Sequence, residues 1–64
     1  MAEKPGQEFL LEWFQVGNSV KVSAIDPETG TEISIVGDPA AGEEALKQAA
    51  VNKLLYVLRK QREG

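Results

Sequence analysis

The sequence predicts an α+β domain, a three-stranded antiparallel meander with one C-terminal helix packed on one face. Three observations predict it. Two turn signals, Gly17-Asn18 and Asp26-Pro27-Glu28-Thr29-Gly30, each sit between alternating apolar residues. A Gly-, Pro- and Ala-rich break runs from Gly37 to Gly42. Beyond it, Glu43 to Gln61 holds good helix formers and neither Gly nor Pro.

The first strand is read over about residues 8–16. Phe9, Leu11 and Trp13 fall on one of its faces, and Leu10, Phe14 and Val16 on the other. Gly17-Asn18 suits a two-residue hairpin loop because both residues tolerate positive φ. The second strand, about 19–26, alternates Val20, Val22 and Ala24 against Lys21, Ser23 and Ile25. In the second turn Pro27 presets φ, Asp26 offers a carboxylate to the backbone N–H groups ahead of it, and Gly30 takes the left-handed position. The third strand, about 31–36, carries Ile33 and Ile35 on one face and Glu32 and Ser34 on the other.

Directly paired residues share a face. A two-residue first loop pairs Val16 with Ser19, Trp13 with Val22 and Leu11 with Ala24. A four-residue second loop pairs Ala24 with Ile33 and Val22 with Ile35. Phe9, Leu11, Trp13, Val20, Val22, Ala24, Ile33 and Ile35 then gather on one face. A three-residue first loop, Gly17 to Ser19, instead places Val16, Phe14 and Leu10 with Val20 and Val22.

The helix, about 42–61, starts either from an Asp38 cap with Pro39 in the first turn or at Gly42. Its stripe is Leu46, Ala50, Leu54, Val57 and Leu58, and Val51 and Leu55 widen it. Residues 1–7 read as a disordered lead-in, which leaves 8–62 as a single domain.

At 64 residues the chain builds a marginal core. With no Cys and no His, disulfides, thiolate or imidazole metal sites and imidazole acid–base chemistry are excluded. Hydroxyl nucleophiles have no imidazole to activate them. Glu43 and Glu44 diverge by about 100° on a helix, and Glu12 and Glu32 stand on different outer strands. No phosphate loop or calcium loop is present. The expectation is a non-enzymatic protein with no catalytic, metal or cofactor site.

No apolar run is long enough to cross a bilayer or to serve as a signal peptide, so the expected location is cytoplasmic, with no membrane partner. The net charge of −3 argues against a nucleic-acid partner. Residues 1–46 carry Lys4 and Lys21 against nine acids, whereas residues 47–64 carry Lys47, Lys53, Arg59, Lys60 and Arg62 against Glu63. Acids at the start and bases at the end of one helix complement its macrodipole.

One helix covers one side of a sheet. Leu10, Phe14, Val16 and Ile25 remain on the other side, and Val51, Leu55 and Tyr56 at the helix edge. These seven are the candidate interface residues, and the expected partner is a second copy of the chain or another protein. The contrasting function is nucleic-acid binding through Lys53, Arg59, Lys60 and Arg62.

Two family resemblances accompany these readings. Ala45-Leu46-Lys47-Gln48-Ala49-Ala50-Val51-Asn52-Lys53-Leu54-Leu55, after three strands and a glycine-containing break, resembles the last helix of double-stranded-RNA-binding domains. It departs where that family places a Lys pair on phosphates: here stand Glu43 and Glu44. The family's first helix is missing as well. The resemblance therefore implies the fold and counts against the activity. The segment from Val16 to Gly37 and the run Ala49 to Leu58 are more similar to a family of short bacterial proteins classed as a domain of unknown function. That resemblance spans most of residues 9–59, implies a stand-alone cytoplasmic protein and assigns no site.

Overall fold

The computed structural model describes residues 8–63. The reading of residues 1–7 as a lead-in lies outside them. Three strands, β1 (Leu10–Val16), β2 (Ser19–Ile25) and β3 (Glu32–Gly37), form one antiparallel sheet in the order β1-β2-β3. A 3-10 turn over Pro39–Ala41 leads into the helix α1 (Glu43–Glu63).

The turns set the register. Gly17 adopts φ +60° in the first loop, the left-handed region that glycine enters without steric cost. Val16 pairs with Ser19, Trp13 with Val22 and Leu11 with Ala24. This is the two-residue loop, and the three-residue alternative does not occur. Across β2 and β3, Ala24 pairs with Ile33 and Val22 with Ile35. The two turns thus deliver one apolar face, as their spacing predicts.

The helix starts at Gly42, and the alternative Asp38 cap serves a separate 3-10 turn just before it. The Asp38 carboxylate accepts from the Ala40 N–H at 2.9 Å and caps the 3-10 turn, with Pro39 at its start. The Gly42 carbonyl then accepts the first helical bond, from Leu46 N–H at 3.2 Å. Glu43 and Glu44 occupy the first turn and Lys60 and Arg62 the last, matching the macrodipole. The Glu43 carboxylate also sits 2.9 Å from the Lys47 ammonium. That hydrogen bond and its charge raise the Lys47 pKa above the usual lysine value.

The core is Val20, Val22 and Ala24 from β2 against Leu46, Ala50 and Leu54 from α1. Phe9, Ile33, Ile35 and Leu58 pack around it, partly buried. The helix lies over β2 and β3 and leaves β1 uncovered. This corrects the expectation that Leu11 and Trp13 join the core. They share the core face with Ala24 and Val22, yet remain 38% and 39% exposed. A helix about 10 Å wide spans about two strands spaced about 4.8 Å apart, so a third strand is left bare.

Gly37 permits the close approach of the helix to β3. It pairs with Val20 on the helix side, and a Cβ there would stand 2.5 Å from Leu46 Cδ2. Its bare backbone lets Leu46 settle against β3. Gly37→Ala is expected to displace Leu46 and cost about 1 kcal/mol. The urea midpoint measures the loss, and an unchanged midpoint would show that Leu46 has room to spare.

Candidate interaction surface

Strand β1 reads Leu-Leu-Glu-Trp-Phe-Gln-Val, and every one of its residues is exposed. Central β2, by contrast, has Val20, Val22, Ser23 and Ala24 buried. An exposed strand with this much apolar surface is the most conspicuous feature of the molecule.

On the side away from the helix, the pairing gives rows. Leu10 lies beside Ile25 and Glu32, Glu12 beside Ser23 and Ser34, and Phe14 beside Lys21 and Val36. Leu10, Phe14, Val16 and Val36 are all exposed, and Ile25 is half-buried. Ser23 is only 1% exposed although no helix covers it. Larger side chains around it close over this small central residue, and its hydroxyl sits 3.0 Å from that of Ser34. The Glu12-Ser23-Ser34 row divides the apolar residues into a Leu10/Ile25 group and a Phe14/Val16/Val36 group.

On the helix side, a step of about 100° per residue from Leu54 puts Val51, Leu55, Leu58 and Arg62 on one flank of α1, and Lys53, Val57 and Lys60 on the other. The Lys53 ammonium donates to the Ser34 carbonyl of β3 at 3.3 Å. The Lys53 flank therefore lies toward β3 and the Val51 flank toward β1. In agreement, Val51 shares a shallow hollow with Phe9, Leu10, Leu11 and Pro27. Leu55 and Leu58 line a second open cleft with Phe9 and Asp26. An open trough thus lies between β1 and α1, with Leu11 opposite Val51; Trp13 is the next residue on that face of β1, and Leu55 follows Val51 one turn on along the same flank of the helix. Tyr56 is exposed, but it sits about 200° round the helix from Leu54 and faces away from the trough. Leu11 and Trp13 are the surface residues that sequence reasoning assigned to the interior. The glycine at the end of β3 is the signal that would have released them.

The four basic candidates do not form a stripe. Lys53 and Lys60 share one flank, Arg62 lies on the opposite one, and Arg59 projects between Arg62 and the outward side of the helix. Lys53 is already engaged by β3. Among the described residues, no three carboxylates gather as a metal site would require. None of their buried side-chain polar atoms lacks a partner. No helix among them is long and apolar enough to cross a membrane.

The fold and surface define a small β-β-β-α domain whose first strand is apolar, peripheral and uncovered. Residues 6–61 match the family described as Domain of unknown function (DUF6898), and the chain belongs to that family. No curated protein and no solved structure matches the chain. The comparisons do not show a likeness to double-stranded-RNA-binding domains.

Proposed function

We propose that the chain is a non-enzymatic interaction module that associates with a second copy of itself through the apolar residues of β1. The observation that carries this reading is that Leu10, Leu11, Trp13, Phe14 and Val16 are all exposed on one strand. The core is small, six buried apolar residues among those described. A fold of this size gains a large fraction of its stability from any surface it buries. Exposed apolar side chains over the whole length of one strand are the kind of surface that marks a protein–protein contact. The lack of His, of Cys and of a carboxylate cluster among the described residues supports a binding role over a chemical one.

Sedimentation velocity across a concentration series tests the proposal. A monomer at every concentration up to the high micromolar range would end it. Phe14→Glu places a carboxylate on the uncovered face of β1 and is expected to weaken association about tenfold or more, by desolvation of that charge. Phe14 is 47% exposed in the single chain, so the far-UV circular dichroism of the variant should be retained.

A further inference from the structure

The two edges of the sheet are not alike, and the difference names the partner surface. In an antiparallel pair, alternate residues turn their backbone N–H and C=O groups toward the neighbouring strand. The Asp26 N–H donates to the Thr31 carbonyl at 2.8 Å, extending the β2–β3 ladder. Asp26, Ala24, Val22 and Val20 therefore address β3, while Ile25, Ser23, Lys21 and Ser19 address β1. Their partners Leu10, Glu12, Phe14 and Val16 face inward. The backbone groups of Leu11, Trp13 and Gln15 point out of the sheet.

By the same alternation, Glu32, Ser34 and Val36 expose the outer edge of β3. That edge is guarded: Lys53 occupies the outward Ser34 carbonyl, and Glu32 adds a charge. Lysines and inward-reaching charges are the usual means of blocking strand addition. β1 has no lysine laid against its outward backbone groups among the described residues. It contains no Lys, Pro or Gly, its only charge is Glu12, and its pairing with β2 runs without a bulge.

We infer that β1 pairs antiparallel with β1 of a second copy, centred on Trp13, to make one continuous six-stranded sheet. This rests on the self-association proposed above and specifies its geometry. The strand is self-complementary in that register. Trp13 meets Trp13 of the second copy, Leu11 meets Gln15, Leu10 meets Val16, and Glu12 meets Phe14. The outward groups of Leu11, Trp13 and Gln15 all find partners. A shift that places Glu12 opposite itself sets like charges side by side and is disfavoured. Antiparallel addition with a two-fold axis normal to the sheet keeps both helices on the same face. The two troughs then join across the axis, and the Val51 and Leu55 flanks of the two helices enclose the paired tryptophans. The offset of α1 toward β3 leaves the width that this arrangement uses.

Amide hydrogen exchange on the full chain, read by NMR at low and high protein concentration beside sedimentation, tests the pairing. The Leu11, Trp13 and Gln15 amides should exchange freely in the monomer and slow about tenfold or more as dimer forms. The inward Glu12 and Phe14 amides should be protected throughout. A dimer in which the three outward amides still exchange freely overturns strand pairing while leaving self-association standing. A chain that never dimerises overturns both. Gln15→Pro supplies an independent arm, since it removes an outward N–H without touching the β1–β2 ladder or the apolar surface. It should weaken the dimer about tenfold or more, because two interchain bonds are lost per dimer. Gln15→Ala keeps the N–H and loses only the side-chain bond to the Gly17 carbonyl, so it should dimerise like the parent. Equal affinities for the two variants would also overturn the pairing.

Discussion

Leu54→Ala is expected to remove most of the stability of the folded chain. Leu54 is fully buried and is the largest side chain in the centre of the core, between Ala50 on its own helix and the Val22–Ala24 stretch of β2. Truncating a buried leucine costs about 2–5 kcal/mol, through lost transfer free energy and the cavity left behind. A domain of this size holds about 3–10 kcal/mol in total. The cavity has little chance to close, because its wall on the sheet side is hydrogen-bonded strand. A loss of about 3 kcal/mol corresponds to a fall in Tm of roughly 12–24 °C, or to no cooperative transition at all. Leu55→Ala is the paired control. One residue further along, Leu55 is 39% exposed on the trough wall. It should cost less than about 1 kcal/mol in the monomer. Thermal unfolding of both variants at one dilute concentration separates them, since self-association would make stability concentration-dependent. Comparable losses would mean that α1 is rotated away from the orientation described above.

That contrast between neighbours was legible in the sequence. Leu46, Ala50 and Leu54 repeat at helical spacing, and those are the three helix residues that are buried. The register was legible too, because two turns of fixed length leave few ways to align alternating strands. The lateral position of the helix was not. Periodicity says which side of a helix is apolar and which face of a sheet is apolar, but not where across the sheet the two meet. That offset follows from contacts with no periodic signature. Leu46 nests against the bare backbone of Gly37, and Lys53 reaches the edge of β3. Read as the start of a break, Gly37 concealed its role as a packing surface. The helix periodicity likewise says nothing of how far Leu11 and Trp13 stay open, and the structure leaves them 38% and 39% exposed on the core face.

Asp26→Ala should cost about 2 kcal/mol, the second largest loss expected of a single substitution here. Asp26 is 4% exposed at the end of β2, where the chain must turn to begin β3. One carboxylate oxygen accepts from the Glu28 N–H at 3.2 Å, and the other from the Thr29 hydroxyl at 2.9 Å. The Asp26 carbonyl accepts from Gly30 N–H at 2.8 Å, with Gly30 at φ +77°. The side chain thus fixes the first half of the turn and the backbone closes the second. Alanine leaves the Glu28 N–H and the Thr29 hydroxyl without that acceptor. Asparagine can still accept one of the two bonds through its single oxygen, so Asp26→Asn should cost about half as much. Thr29→Val tests the pairwise share: in the Asp26→Ala background it should add little beyond its intrinsic effect. The urea midpoint is the readout, and a loss below about 0.5 kcal/mol for Asp26→Ala would show that the backbone bonds alone hold the turn. The consequence reaches the far strand. The turn fixes β3 against β2, and β3 carries both Gly37 and the carbonyl that Lys53 engages. Loosening it frees α1 to drift over β1 and cover Trp13, so Asp26→Ala should also weaken self-association although it lies outside the pairing strand.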